Sequence, residues 1–310
     1  MRLLSTSPTL PKKKKSGRMK DPLSDKIFYA FDILLMLLLA AIIVYPLYFI
    51  VIASISDPDQ VLNGNVYLYP VQVTLSGFRR LLDEELIWTG YRNTIIYTVV
   101  GTALNIAMTI PTGWALSRKN LPARKFVMWF FIITLFFGGG LVPYYLLISK
   151  LGMVESPLVL IIPSAMSVWN VFMTKAYYES NIPEELLEAA EIDGAGEFRK
   201  FFSVVLPISK AIIAVMVLFY AVGHWNSYFN ALIFISDERF YPLQLVLKDI
   251  LITAEVTSGA GGSVDTILEQ MRIANQIKYA SIIVSSLPII LLYPFIQKFF
   301  DKGFLVGTFK

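Results

Sequence analysis

Long apolar runs alternate with short polar ones along this chain, and their lengths predict helices that cross a membrane. A span needs about 20 mostly apolar residues, within roughly 17 to 25. Runs of that size lie at about 27–53, 93–116, 126–149, 158–178, 211–236 and 279–297, the first interrupted only by Asp32 near its start. Between Phe126 and Ile148 stand fourteen Phe, Leu, Ile or Val residues. At about −0.3 to −0.6 kcal/mol each they favour insertion by roughly 4 to 8 kcal/mol. The pattern predicts an all-α membrane protein with six transmembrane helices. Residues 1–26 read as a basic tail and 27–310 as one six-helix domain.

The segments between the runs refine this picture. With the N-terminus placed in the cytoplasm, nineteen of the 27 Lys and Arg fall on the cytoplasmic side and eight outside. Basic residues in short loops are retained inside, and the loop "RKNLPARK" carries four of them. Both termini are therefore expected in the cytoplasm of a multi-pass cell-membrane protein. The "KKKK" run at 12–15 reads as a tail that fixes topology and touches anionic lipid, with no nucleic-acid partner implied. The first apolar run is too long for a cleaved signal and reads as a retained span. Outside, Phe78, Leu81, Leu82, Leu86 and Trp88 suggest an amphipathic helix at the interface, and "TSGAGGSVD" a flexible tip.

Composition narrows the chemistry. The chain is 55% hydrophobic and 16% charged, where soluble domains carry about 25% charge. With no cysteine, disulfides, thiolate metal sites and cysteine nucleophiles are excluded, and a single histidine argues against a His-based metal site. No metal site or catalytic residue is expected. There is no G-x-x-x-x-G-K-[ST] phosphate loop; the glycines at 138–140 lie in an apolar run without the following Lys-Ser/Thr.

One polar stretch stands apart, "EAAEIDGAGEFRKFFSVVLPISK", from Glu188 to Lys210. Pro183 with Glu184 and Glu185 makes a helix start, since proline tolerates the first turn and acids suit the positive end. Leu186, Ala189, Ala190 and Asp193 recur at helical spacing, and Gly194 can take the left-handed conformation that ends a helix. Phe198, Phe201, Phe202 and Val205 give a second stripe at i, i+3, i+4 and i+7, and Pro207 stops or kinks it. Two short helices meeting at small residues are expected over 183–207; an ordinary elbow between spans would also fit this pattern.

The same stretch resembles the EAA loop of permease subunits in binding-protein-dependent ABC importers. Glu188, Ala189, Ala190, Asp193, Gly194, Ala195 and Pro207 fall on that motif; a proline commonly follows its Ser-Lys, and Ala211 stands there instead. "FFGGGLVPYYLL", "HWNSYFNALIFI", "YPLQLVLKDIL" and "YPFIQKFFDKGFLVGTFK" resemble carbohydrate-uptake permeases, particularly the oligosaccharide branch of Gram-positive bacteria. The resemblance implies a type I ABC importer permease fold in a bacterial membrane. Residues Glu188, Ala189, Ala190, Asp193, Gly194 and Ala195 would then form a cytoplasmic coupling helix seated on an ATPase. It further implies a second permease in a heterodimer and two ATP-binding subunits that use ATP and magnesium. An extracellular solute-binding protein would deliver a carbohydrate, and this chain would bind no cofactor itself.

Polar residues inside spans are costly and tend to face a cavity. Asn226 and Asn230 at i, i+4, with Gly223 and Ser227 on the same face, and Trp169 with Asn170 in the fourth span, are candidates for a substrate path. Amides suit sugar hydroxyls and aromatic rings suit sugar C–H faces; helix–helix hydrogen bonding is the plainer alternative. His224 has no acidic partner within its span and reads as structural rather than as a proton relay. A permease for a non-sugar solute such as an amino acid or phosphate is the alternative function. An intramembrane enzyme, a proton-driven carrier and a stand-alone channel lack, respectively, mid-span catalytic groups, buried carboxylates and a need for the loop.

Overall fold

A computed structural model describes residues 23–259 and 264–303. All regular structure among them is helical. Helix α1 runs Leu23–Ser54, with Pro46 inside it. As far as Phe49 it belongs to a compact unit of its own, and the second unit begins at Ile50. Along α1 the large apolar side chains are exposed, Leu34 at 65% and Ile43 at 66% among them. Such a surface suits a hydrocarbon solvent. The basic tail, the "AGGS" part of the glycine-rich tip and the final "FLVGTFK" lie outside the described residues.

In the second unit, α2 (Pro58–Leu62) and α3 (Ser76–Leu82) precede α4 (Glu85–Ser117). The amphipathic helix expected from Phe78, Leu81, Leu82, Leu86 and Trp88 is divided between α3 and the first turns of α4. Leu81 and Ile87 are buried, while Trp88 stays exposed. At about 1.5 Å per residue α4 is about 50 Å long; it buries residues at helical spacing, Ile87, Gly90, Thr94, Tyr97, Gly101 and Asn105 among them, while Ile95, Ile96, Val99 and Val100 stay exposed. Glycines let neighbouring helices reach its backbone. A Cβ on Gly101 would lie 2.4 Å from His224 Nε2, and one on Gly113 would lie 2.6 Å from Thr174 Cγ2.

After α4 come α5 (Arg124–Phe136), α6 (Leu141–Lys150), α7 (Val168–Asn181), α8 (Glu184–Ile192), α9 (Glu197–Arg199), α10 (Leu206–Ile208) and α11 (Lys210–Trp225). A π-helical turn, Lys200–Val205, joins α9 to α10. Then follow α12 (Phe229–Phe234), α13 (Leu243–Gly259) and α14 (Val264–Gly303). At the far end of α4, the Asn93 amide donates to the carbonyls of Arg239 and Tyr241. Leu243 N donates to Thr94 Oγ1 at 2.8 Å. These bonds pin the entry to α13 against α4, and α13 packs on α14.

Among the described residues, three helices are long and apolar enough to cross a membrane: Ser24–Ser54, Glu85–Ser117 and Met271–Leu292. They coincide with the first, second and sixth predicted spans. The third is bent by 116° between α5 and α6, at Gly138–Gly140. The fourth is a 3₁₀ turn at Pro157–Leu160, an unwound stretch, and then α7. The fifth is interrupted at Asn226–Tyr228, between α11 and α12. Total apolarity defines a span in sequence, but it is blind to these breaks. Pro157 and Pro163 cannot donate a ladder bond, and Asn and Ser side chains compete with the backbone for theirs.

Candidate functional site

The 183–207 segment folds as two limbs around a sharp turn. Pro183 caps α8 with extended backbone, and Glu184 and Glu185 occupy the first turn, where the positive end of the helix favours acids. At the other end Ala195 N donates to Ala190 O and Gly194 N donates to Glu191 O, both at 2.9 Å. This pair of bonds is a Schellman turn, which needs a left-handed residue at Gly194. Its φ is +77°. A Cβ there would meet nothing within 4 Å, so backbone conformation alone demands glycine.

Apolar burial anchors the limbs to the spans. Leu187, Phe201 and Val205 pack with Trp114, Tyr178, Ile212 and Met216 in one core, and Trp114 meets Tyr178 edge-on at 5.6 Å. The expected stripe of Phe198, Phe201, Phe202 and Val205 is divided. Phe201 and Val205 face in, while Phe198 is 85% exposed and Phe202 59%. The π turn takes more residues per turn than the assumed α spacing, and it ends just before Pro207, whose missing N–H breaks the ladder.

A charge cluster that the sequence reading missed ties the limbs together. The Lys200 ammonium is 2.8 Å from Glu191 on the first limb and 3.1 Å from Glu197 on the second. Lys200 is only 6% exposed. Its hydrogen bond to Glu191 holds the ammonium above the usual lysine range, with Glu197 adding to the effect. The same bond holds the Glu191 carboxyl below its usual range. The i, i+3 spacing of Glu197 and Lys200 was the visible cue; the Glu191 arm depends on the turn. Lys119 pairs with Glu184 at 3.3 Å and Arg124 with Glu179 at 2.5 Å, so the 118–124 loop braces the same end.

Of the six predicted coupling residues, Ala190 turns inward and supports the core, while Ala195 is half-buried. Glu188, Ala189, Asp193 and Gly194 are exposed. Beside them Ile192 is 88% exposed. An apolar groove of about 490 Å³ lies on the second limb, lined by Trp114, Arg118, Pro122, Phe198, Phe201 and Phe202, and Glu188 lines a separate polar pocket with Glu184, Glu191 and Lys200. A rigid turn thus presents acids, small residues and large apolar side chains together at the end of the helices.

The predicted path residues are not on one helical face. Because the chain turns at Asn226, the i, i+4 relation of Asn226 and Asn230 does not hold. The Asn226 amide caps its own helix by donating to Val222 O, and Ser227 N donates to His224 O. Gly223 and Asn226 are exposed, Ser227 and Asn230 half-buried. On α7, Trp169 is 62% exposed and Asn170 is buried.

What the sequence reading overlooked is a polar network from α4. His224 Nε2 lies 2.7 Å from Asn105 Oδ1, and the Asn105 amide also donates to Ser164 O. A carbonyl can only accept, so Nδ2 faces Ser164, Oδ1 faces the ring, and Nε2 carries the proton. The Tyr220 hydroxyl accepts from Ser167 N at 3.1 Å and lies 2.6 Å from Thr109 Oγ1. Asn105 and Thr109 sit at i, i+4, which was a readable cue. His224 therefore serves as a structural donor.

The family model for the binding-protein-dependent transport system inner membrane component matches residues 87–306. The chain is 34% identical over 293 residues to the polygalacturonan/rhamnogalacturonan transport system permease protein YtcP of Bacillus subtilis, covering 94% of this chain and all of that one. It is 33% identical to protein LplC of the same organism, over 92% of this chain and 95% of that one. Among solved structures, a bacterial ABC transporter involved in the import of the acidic polysaccharide alginate has a chain that superposes with a TM-score of 0.80. The two are 31% identical, over 91% of this chain and 99% of that one. The all-helical architecture is that of a type I ABC permease, and the chain belongs to the binding-protein-dependent transport system inner membrane components, a family of non-enzymatic permease subunits of ABC importers.

Proposed function

We propose that this permease moves a carbohydrate, an oligosaccharide, from an external binding protein into the cytoplasm. Two separate ATPase subunits drive it, and a second, different permease completes the path. The chain crosses the bacterial membrane six times, counting each broken helix as one pass, with both termini and the 183–207 segment in the cytoplasm. Glu188, Ala189, Asp193 and Gly194, with Ile192 and Phe198, form the surface that an ATPase grips. ATP and magnesium are used by those partners.

The observation that carries this reading is the clamped pair of limbs. Lys200 joins them, Leu187 and Phe201 root them in the core of α4, α7 and α11, and their outer face is unspent. A push on such a lever reaches the spans without being absorbed by the turn. The sugar assignment draws on the relatives: YtcP is named for polygalacturonan and rhamnogalacturonan, and the alginate importer for an acidic polysaccharide. An amino acid or phosphate substrate finds no counterpart in those names.

The test is co-purification of the assembled importer followed by ATPase measurement in liposomes. Neutral and uronate-containing oligosaccharides are presented with the cognate binding protein. Hydrolysis stimulated by one of them is expected. Stimulation by a non-sugar solute alone would overturn the carbohydrate reading.

A further inference from the structure

Three bonded partners place the breaks in the fourth and fifth spans at one level. At about 1.5 Å per residue, Asn105 lies about 18 Å from the Ser117 end of α4. At the same rise the start of α7 at Val168 lies about 20 Å from Asn181, and the end of α11 at Trp225 about 22 Å from Lys210. All three lengths start from the end that carries the coupling segment. The hydrocarbon core is about 30 Å thick, so breaks about 20 Å along these helices lie within the length of a span.

Unwound backbone is tolerated at that depth only where it is buried in protein or lines a watery cavity. The stretch 161–167 is not fully buried: Ser164 is exposed, as is Ile162, and Trp169 follows at 62% exposure. Only turn-type bonds remain within it, such as Ala165 N to Ile162 O at 3.0 Å. Nor is it slack. Ser164 O and Ser167 N, groups that a continuous helix would have bonded internally, are taken by Asn105 of α4 and Tyr220 of α11. Asn105 also holds His224, two residues before the break in the fifth span. One amide therefore fixes both breaks relative to α4.

We propose that the unwound stretch 161–167 is a sugar-contacting wall of the translocation path, held in place by the Asn105 and Tyr220 cradle. Its carbonyls offer acceptors to sugar hydroxyls, and Trp169 offers a ring face to sugar C–H groups. Asn105 and Tyr220 are positioning residues that need not touch the sugar. This inference rests on the proposed carbohydrate function and goes beyond it by naming the wall and its supports.

The natural absence of cysteine makes the test clean. Ser164→Cys is conservative, since the hydroxyl makes only long bonds of 3.3 Å to Leu160 and Ile161 carbonyls. The assembled importer in liposomes is treated with a permanently charged thiol reagent, with and without ATP and sugar-loaded binding protein. The introduced thiol is expected to react, and sugar delivery to slow the reaction about tenfold. Failure to react with the charged reagent would overturn the inference, whether or not an uncharged maleimide reacts. A rate indifferent to sugar would overturn it too.

Adding Asn105→Leu is expected to remove the sugar protection while complex yield stays at the parental level; Tyr220→Phe is the milder variant should the first fail to assemble. Undiminished protection in both would overturn the cradle. A wild-type complex that hydrolyses ATP without response to any sugar contradicts the proposed function instead. The accessibility of the thiol at position 164 to the charged reagent would still decide whether the stretch lines water.

Discussion

Gly194 offers a perturbation whose cost can be worked from geometry alone. A side chain there meets open space, so no clash within this chain enters, and φ of +77° is the whole burden. For an L-residue the left-handed region costs roughly 1–2 kcal/mol. Alanine also narrows the unfolded ensemble, which offsets about 0.4–1 kcal/mol of that. A net near 1 kcal/mol shifts a two-state turn about fivefold. Valine, branched at Cβ, is a genuine outlier at positive φ and shifts it further. Asparagine visits this region readily and is expected to be nearly silent. The assay is ATP-driven uptake set against ATP hydrolysis in liposomes, with insertion checked by complex yield. The expected order of coupling is Gly, then Asn, Ala and Val, at equal insertion. Normal uptake by Gly194→Val would refute the role of the turn. Failure of Gly194→Asn equal to that of Val would refute the backbone reasoning and indicate a clash with a partner.

The clamp gives a second test: Lys200→Met is expected to hasten protease nicking between 193 and 197 and to cut coupled uptake several-fold, while Lys200→Arg retains most of it. Glu188→Lys, at an exposed position, should leave the chain inserted and reduce co-purification of the ATPases, read by band intensity. Gly101→Ala places a methyl against the His224 ring and should destabilise the complex by about 1–3 kcal/mol, with partial rescue by His224→Ala in a melting assay. The Glu155 carboxylate accepts from Ser236 N at 2.8 Å, and that bond holds its pKa below the ordinary 4.5. A depressed carboxyl contributes stability that is present above the unfolded value and lost only as pH falls through the folded one. Protection of the Ser236 amide should therefore persist at pH 5, as read by hydrogen exchange; loss above 4.5 would contradict the bond.

Hydropathy made most of the fold readable, because helices such as α1 carry long apolar runs that are exposed. Caps were readable as well: Pro183, Glu184 and Gly194 announce α8 and its end by local chemistry that needs no partner. The breaks in the third to fifth spans were harder, since a span interrupted by Gly138–Gly140 or by Asn226 is as apolar in sum as an intact one. Pairings across the turn were hidden for another reason. Lys200 meets Glu191 only once Gly194 has reversed the chain, and Asn105 meets Ser164 and His224 only once three helices have packed. The break also hid that Asn226 and Asn230 do not share a face, since they would share one only on a helix that continues.

On the proposed function, the 183–207 turn is the place where a motor built from other chains takes hold. Asp193→Cys, in a chain otherwise free of cysteine, tests this most directly with an impermeant thiol reagent whose second arm is photoreactive, applied to one membrane face at a time. Capture of an ATP-binding subunit is expected, only from the cytoplasmic face, at a rate that changes during ATP turnover. Reaction from the external face, or an assembled and ATP-hydrolysing importer in which the thiol at position 193 captures no such subunit, would contradict it.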